Sequence, residues 1–221
     1  MGVVIRRAGE SDRADVVRLL DAAFLDDPVS SWVFPAEEYR RRRHGALMEA
    51  FLDMAFSEGF VDITEDGTAV ALWWSVPAGE EEGAQEGGRE GVHEGGEDGP
   101  AQLRAAVDPD NARIEEIGRL TGEAHPTDRA HQYLHMIAVS PERQGEGLGS
   151  ALIGEVLERC DREGLHAYLE ASSSRSRALY TRLGFAFTGK AIDLPDGPRL
   201  WPMWREPRRF STDGGDGKRF A

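Results

Sequence analysis

Cysteine is almost absent from this chain of 221 residues, which contains only Cys160. A lone cysteine excludes an intramolecular disulfide and a cysteine-cluster zinc site, and no other metal-ligand spacing is apparent, so we expect no metal. Long apolar runs are missing too, because none approaches the roughly 18 residues that span a bilayer. These absences favour a cytoplasmic protein that does not work in a membrane.

Basic residues are scarce, since 26 Lys and Arg stand against 40 Asp and Glu, for a net charge of −14. Broad binding to nucleic acid or to an anionic membrane needs a cationic surplus, so we expect neither as a partner. A small pocket for a phosphorylated ligand remains compatible with this charge.

Much of the acid is concentrated in residues 79–100, which contain eight glycines and eight acidic residues against one arginine. This stretch has no apolar periodicity that could offset the entropy of ordering it. It therefore predicts a flexible insertion, with a functional lid as the alternative. We expect residues 1–210 to form one domain around it and residues 211–221 to form a loose tail.

Elsewhere the hydrophobic pattern alternates between the periods of strands and of helices. It predicts a strand over 3–8, a helix capped by Ser11, a hairpin at Asp66-Gly67 and a helix begun by Pro109. The summed order is β-α-α-β-β-α-β-α-β-α-β-β, which indicates a mixed α/β domain.

Three glycines, Gly145, Gly147 and Gly149, lie between a β-rich run, "HQYLHMIAV", and a helical pattern. Glycine lets the backbone N–H groups at a helix start face an anion. The stretch therefore predicts a phosphate cradle, with a ligand-free connector as the alternative. An ATP-type loop would continue with Lys-Ser or Lys-Thr, and a dinucleotide loop would read G-x-G-x-x-G, so neither fits.

The spacing that fits is Q-x-x-G-x-G, formed by Gln144, Gly147 and Gly149 directly after "HMIAVSP", and "ALYTRLGFAFTG" follows downstream. These motifs resemble the signatures of the GCN5-related N-acetyltransferase (GNAT) superfamily. The segment "AAFLDDPVSSWVFP" resembles the puromycin N-acetyltransferase-like branch of that superfamily. The resemblance implies a mixed, mostly antiparallel central sheet of about seven strands flanked by helices and splayed between the fourth and fifth strands.

The resemblance also implies that acetyl-CoA donates its acetyl group to the amine of a small molecule, by direct attack in a ternary complex. The glycine loop would hold the pyrophosphate, and the preceding strand would pair with the pantetheine arm and supply an N–H to the oxyanion. The matching loop residues are Gln144, Gly145, Glu146, Gly147, Leu148, Gly149 and Ser150, and the matching strand residues are Ile137, Ala138 and Val139.

Tyr180 matches the tyrosine that protonates the departing thiolate in this family, with a purely packed tyrosine as the alternative. Glu170, on the strand beside the cradle strand, is the predicted base for the amine. The other candidates for this base are His135, His131 and Glu123.

Ser173 and Ser176 stand where relatives carry asparagine, and we expect them to contact the pantetheine with a shorter reach. Most of the tryptophans are expected to pack in the core rather than to line an acceptor pocket. Two other functions stay open, a non-catalytic acetyl-CoA-binding sensor or partner domain and a protein or peptide N-acetyltransferase. The expected assembly is a monomer or a homodimer.

Overall fold

This computed structural model of the chain describes residues 2–79 and 99–208. The predicted insertion and the predicted tail therefore lie outside the described residues, apart from positions 79, 99 and 100. Across the described part, no helix combines the length and the apolar character that crossing a membrane would require.

One mixed sheet organises the described residues. Its strands are β1 (Ile5–Arg7), β2 (Gly59–Thr64), β3 (Ala69–Val76), β4 (His131–Val139), β5 (His166–Ala171), β6 (Ala186–Phe187), β7 (Ile192–Asp193) and β8 (Arg199–Arg205). Their order across the sheet is β1-β2-β3-β4-β5-β8-β6, and β7 pairs with β8. Every pair is antiparallel except β4 with β5, which is parallel. This is the mixed, mostly antiparallel sheet that the resemblance implied.

Helices cover both faces of this sheet. They are α1 (Arg13–Phe24), α2 (Pro28–Val33), α3 (Glu37–Glu58), α4 (Gly99–Val107), α5 (Ala112–Ala124), α6 (Leu148–Glu163) and α7 (Ser174–Arg182). One face packs against α1 to α5 through a core that includes Leu20, Leu52 and Ile114. The other face packs against α6 and α7 through a second core that includes Leu152 and Tyr180. Apolar burial of this kind contributes about 25 cal/mol per Å² and holds the two layers on the sheet.

The predicted order from the hairpin onward is confirmed except at two places, because two helices instead of one precede β4 and three final strands, β6, β7 and β8, replace the predicted two. The turn between β2 and β3 falls at Asp66-Gly67, where Gly67 has the left-handed φ of 69° that such a turn needs. The β-rich run "HQYLHMIAV" is β4 from its first residue to its last, and α6 follows the glycine loop.

Two predicted helix starts are wrong. Ser11 does not cap α1, because it lies inside a 3-10 turn (Glu10–Asp12) and Asp12 takes the N-cap position. Pro109 does not begin α5, because Asn111 caps that helix by accepting a hydrogen bond from the N–H of Arg113 at 3.1 Å. Only at α5 does a side-chain oxygen serve an exposed N–H group of the helix, because the carboxylate of Asp12 instead accepts from Arg6 and from the N–H of Gly9.

Two helices were not predicted at all. The six residues of α2 are too few to show a helical period, although Asp27 caps this helix and Pro28 begins it. The helix α4 begins at Gly99, so the last two residues of the predicted flexible insertion are helical, and the composition of that stretch obscured the helix.

The sheet opens between β4 and β5, and we call this opening the splay. The last parallel pair joins Leu134 to Leu169, and beyond it β5 pairs only with β8. The register of β4 with β3 also shifts at this point, so that His135 is an extra residue between the paired Leu134 and Met136. Such a bulge bends a strand and re-aims its side chains. Within the described sheet, β4 from His135 to Val139 therefore has an edge that β5 does not cover.

Candidate active site

The glycine loop has the geometry of an open anion cradle. Gly147 is the N-cap of α6 with φ 87°, and Gly145 has φ 89°. A Cβ atom built on either glycine would meet nothing within 4 Å, so the space in front of the loop is open. The helix behind it has 16 residues, and the N–H groups of its first turn have no acceptor within the helix. Loop and helix together can hold a phosphate group.

Neighbouring contacts fix this loop against the end of β4. The Nε2 of Gln144 donates to the carbonyl of Val139 at 3.4 Å. Arg143 pairs with Glu146 at 2.7 Å and with Asp66 at 3.0 Å, so the one carboxylate inside the loop is neutralised. A Cβ on Gly149 would lie only 3.6 Å from Val139, which shows how closely α6 approaches β4.

A cavity of about 330 Å³ lies at the splay, and its lining residue Ile137 would be 3.6 Å from a Cβ built on Gly149 of the glycine loop. It reaches both faces of the sheet, since it is lined by Tyr180 from the α7 side and by Glu170 from the α1 to α3 side. Its other polar lining residues are Asp27, Ser30, Thr121, Tyr133, His135, Ser172, Ser173 and Ser176. Most of the remaining wall is apolar and comes from Phe24, Val29, Val33, Leu47, Met48, Phe51, Ile117, Leu134, Met136, Ile137 and Leu200.

Tyr180 presents a neutral phenol to this cavity. Its side chain is buried and makes an edge-to-face contact with Phe185, with ring centroids 6.1 Å apart. Burial raises the pKa of Tyr180 well above its ordinary value of 10.0. The hydroxyl therefore keeps its proton at neutral pH and can donate it.

Ser173 and Ser176 line the cavity, but they also cap α7. The N-cap Ser173 accepts a hydrogen bond from the N–H of Ser176 at 3.1 Å, and the hydroxyl of Ser176 accepts one from the N–H of Ser173 at 3.2 Å. Their hydroxyl oxygens lie 2.9 Å apart. This reciprocal box is an evident structural role, and a contact with the cofactor stays a prediction.

Glu170 belongs to a series of hydrogen-bonded side chains on the side of the cavity opposite Tyr180. The hydroxyl of Tyr133 donates to Oε2 of Glu170 at 2.8 Å, and Nδ1 of His135 lies 3.1 Å from the same hydroxyl. Since the Tyr133 proton points to the carboxylate, His135 donates from Nδ1. Burial and the nearby Glu170 also raise the pKa of Tyr168. The carboxylate thus accepts a hydrogen bond from the neutral hydroxyl of Tyr133 at the cavity wall.

Of the other base candidates, only His135 reaches the cavity. His131 donates from Nδ1 to the carbonyl of Arg129 at 2.8 Å, and its Nε2 lies 3.0 Å from Nε2 of His125. Glu123 pairs with Arg119 on the surface, with 62% of its side chain exposed. Neither lines the cavity at the splay.

His135 is expected to stay neutral through the physiological range. Desolvation lowers its pKa to about 4 from the ordinary value of 6.5. Between these two values the unfolded chain binds more protons than the folded one, so this histidine makes stability fall as the pH drops from about 6.5 towards 4. In an NMR titration its ring resonances should not move between pH 8 and 6, and a midpoint near 6.5 would contradict this burial.

The sequence reading missed several lining residues, Asp27 above all. Asp27 caps α2 through the N–H of Val29 and accepts a hydrogen bond from Ser172 at 3.2 Å. Burial raises the pKa of Asp27. The start signal "DPVSS" was present in the sequence, but only the packing of α2 against α3 and α5, and the contact of Asp27 with Ser172 after β5, bring it to the splay.

Most of the larger aromatic residues pack in the core, as predicted. Trp32, Phe34, Trp73 and Trp74 are buried in the core. The aromatic rings that line the cavity belong to Phe24, Phe51, Tyr133 and Tyr180, together with the imidazole of His135. In the described part of the chain, no group of three or more His, Cys, Asp or Glu is placed to hold a metal ion.

Comparison with known proteins bears on this site directly. Residues 103–185 match the model of the acetyltransferase (GNAT) family, a span that includes β4, the glycine loop, α6, β5 and Tyr180. A mycothiol acetyltransferase from Arthrobacter sp. is 36% identical over 106 residues, which are 45% of this chain and 31% of that protein. An L-methionine sulfoximine/L-methionine sulfone acetyltransferase from Pseudomonas paraeruginosa is 36% identical over 73 residues, 32% of this chain and 41% of that protein. The chain thus spans well under half the length of these curated relatives.

A solved structure extends the similarity over nearly the whole chain. It is described as histone acetyltransferase HPA2 and related acetyltransferase from Corynebacterium glutamicum, and it superposes with a TM-score of 0.67 at 26% identity. The match covers 96% of this chain and 99% of that one. The finer prediction of a puromycin N-acetyltransferase-like branch stays a prediction. With the splayed sheet and the glycine cradle, residues 103–185 match the acetyltransferase (GNAT) family, and the described fold is similar to that of a solved acetyltransferase.

Proposed function

We propose that this chain transfers the acetyl group of acetyl-CoA to the primary amine of a small, largely apolar molecule. The observation that carries the proposal is the cavity at the splay, which is lined by Tyr180, by Glu170 and by Ile137 of the strand that leads into the glycine loop. A cytoplasmic location and a monomeric or homodimeric state stay predictions from the sequence.

Acetyl-CoA fits the residues present. The open left-handed glycines Gly145 and Gly147 and the first turn of α6 would hold the pyrophosphate. The uncovered edge of β4 from His135 to Val139 would pair with the amide-rich pantetheine arm. When bound, the thioester supplies an activated acetyl group with a thiolate leaving group.

The residues around the cavity divide the proton transfers between them. Backbone N–H groups of β4 near Ile137 would stabilise the negative charge that develops on the acetyl oxygen. Tyr180 would give its proton to the departing sulfur. Glu170 would accept a proton from the attacking nitrogen, oriented by the hydroxyl of Tyr133.

The lining also indicates the class of amine. The carboxyl groups of Asp27 and Glu170 would attract an ammonium group, and the apolar wall would bury a hydrocarbon body. Among the lining residues that the structure describes, none is Lys or Arg. The carboxylate of an amino acid would therefore be buried without a cationic partner, which is costly. A monoamine without a carboxylate is the acceptor that this lining favours.

A thiol-release assay with matched acceptors tests the proposal. The panel pairs phenethylamine with phenylalanine and isoamylamine with leucine, and it adds an aminoglycoside, a polyamine and a lysine-rich peptide. We expect kcat/KM to be at least about 10-fold higher for each monoamine than for its amino acid, because one unpaired buried carboxylate costs more than 1.4 kcal/mol.

Three other results would indicate a different function or a different class of acceptor. Faster release with the peptide would favour the protein or peptide N-acetyltransferase. Acetyl-CoA binding in calorimetry without release for any amine would favour the sensor or partner domain. A preference for the amino acid in both pairs would contradict the proposed acceptor class.

A further inference from the structure

Three side chains from three helices form a hydrogen-bonded series that begins at the cavity. The hydroxyl of Ser30 in α2 lies 2.9 Å from Nε2 of His44 in α3, and Nδ1 of His44 lies 2.6 Å from Oδ1 of Asp21 in α1. Ser30 lines the cavity at the splay. No motif in the sequence brings these three residues together.

The direction of each hydrogen bond follows from the chemistry of the end groups. Asp21 can only accept when it is ionised, so His44 carries its proton on Nδ1. The bare Nε2 then accepts the hydroxyl proton of Ser30. The lone pairs of the Ser30 oxygen are left available to an N–H group in the cavity.

The series leads from the protein interior to solvent. The side chain of His44 is fully buried, whereas that of Asp21 is 40% exposed. Ser30 is 8% exposed and belongs to the cavity wall. A proton taken from the cavity can therefore reach water through this series without passing through the cofactor side.

The proposed acetyl transfer requires such an exit. An ammonium substrate and acetyl-CoA become an amide, free CoA and one released proton, so two protons leave the nitrogen and only one ends on the sulfur. We propose that Ser30, His44 and Asp21 form a proton relay that deprotonates the acceptor ammonium and delivers this net proton to solvent. The inference rests on the proposed function of the same cavity.

The series at Glu170 is poorly suited to this release. Its hydrogen bonds run through Tyr133 to His135, whose Nε2 is shielded from solvent. Glu170 can take a proton during attack, but the residues behind it are a neutral phenol and a desolvated imidazole. The relay, by contrast, ends at the exposed carboxylate of Asp21.

The proton transfers balance in a simple way. The ammonium gives a proton to the Ser30 oxygen as the Ser30 hydroxyl proton moves to Nε2 of His44. The imidazolium then loses its Nδ1 proton to water at Asp21, and tautomerisation of the neutral ring restores the starting state. The C–N bond forms and the C–S bond breaks at the acetyl carbon, outside the relay.

Ser30 is better placed as a relay member than as an acyl-accepting nucleophile. Asp27 lies at the start of the same short helix, and it occupies the N–H of Val29. A carboxylate there would repel the oxyanion that forms when a serine attacks a thioester. The same charge attracts the ammonium group that the relay would deprotonate.

The charged groups around His44 are few in the described structure. Asp21 faces it from α1, and Asp27 acts on it from the start of α2. On α3 itself, Arg40 lies one turn earlier and donates to the carbonyl of Phe34 at 2.9 Å.

The test compares pH profiles of kcat/KM for the preferred monoamine in Ser30→Ala, Asp21→Asn and the wild type. Matched controls are Ser31→Ala, the neighbouring serine, and Asp15→Asn, an exposed α1 aspartate paired with Arg18. We expect both relay variants to lose about 10-fold or more at pH 7 and to recover as the pH rises towards about 10, because the fraction of amine that is already free base grows steeply over this range. The controls should follow the wild type at every pH.

A merely structural role would give a different result. A loss that is the same at pH 7 and at pH 10, or wild-type profiles for both relay variants, would overturn the relay. Recovery of an acetylated Ser30 peptide by mass spectrometry would overturn it in favour of an acyl-serine intermediate. If the wild type releases no CoA with any amine, the proposed function falls and the relay falls with it, whereas failure of the relay alone leaves amine-dependent release intact.

Discussion

Replacing Tyr180 by phenylalanine is expected to lower kcat by about 10²-fold or more, while acetyl-CoA affinity and thermal stability change little. The substitution removes one oxygen from a buried ring that keeps its contact with Phe185. The loss should appear in kcat because the proton is needed only as the C–S bond breaks. Single-turnover rates in rapid-quench experiments measure this step without interference from slow product release.

Tyr39→Phe is the matched control for this variant. It also removes one phenolic oxygen, but that hydroxyl donates to Asp108 at 2.7 Å and does not line the cavity. Wild-type single-turnover rates in Tyr180→Phe would reject the acid role. Tyr180 would then be a packing residue, and solvent would protonate the thiolate.

Gly147→Val is expected to weaken acetyl-CoA binding on the order of 10²-fold in calorimetry. A left-handed backbone costs an ordinary L-residue roughly 1–2 kcal/mol, and a β-branched residue is worse suited still. Relief of this strain would turn the N–H groups of the loop away from the phosphates, and the new side chain would occupy the open space in front of them.

Gly164→Val is the control that distinguishes backbone strain from the loss of phosphate binding. Gly164 caps the other end of α6 with φ 72° and also has nothing within 4 Å of a built Cβ. It should therefore lose stability through the same kind of backbone strain without losing affinity for acetyl-CoA. If the two variants bound acetyl-CoA with equal affinity, the glycine loop would not be the phosphate-binding site.

The sequence predicted the cofactor half of the site because that half is built from local signals. The strand, the glycine loop and α6 are consecutive, and a left-handed N-cap can be read from Gly147 itself. Tyr180 could be assigned to the site because its motif follows the glycine loop in the same order as in the GNAT superfamily. The splay could only be implied by the resemblance, since a pairing that stops at Leu134 and Leu169 depends on both strands.

The acceptor half could not be predicted because its residues meet only through packing. Asp27 and Ser30 belong to a helix too short to show a period, and Asp21 and His44 lie on two longer helices. The sequence showed no nucleophile triad, yet the packing of α1, α2 and α3 places a serine, a histidine and an aspartate within hydrogen-bond distance. Residues that are far apart in the sequence and meet only in the fold form no motif with a characteristic spacing.

The central claim is that acetyl moves directly from acetyl-CoA to a bound amine in the cavity at the splay. The most direct test is a rapid-quench single turnover of the wild-type chain, with CoA, acetylated amine and intact protein mass followed by mass spectrometry. Direct transfer predicts that CoA and the acetylated amine appear together, with one rate constant and equal amounts, while the protein mass never changes. CoA that appears before the amide, together with an acetylated protein, would contradict direct transfer, and CoA without any amide would contradict the acetyltransferase itself.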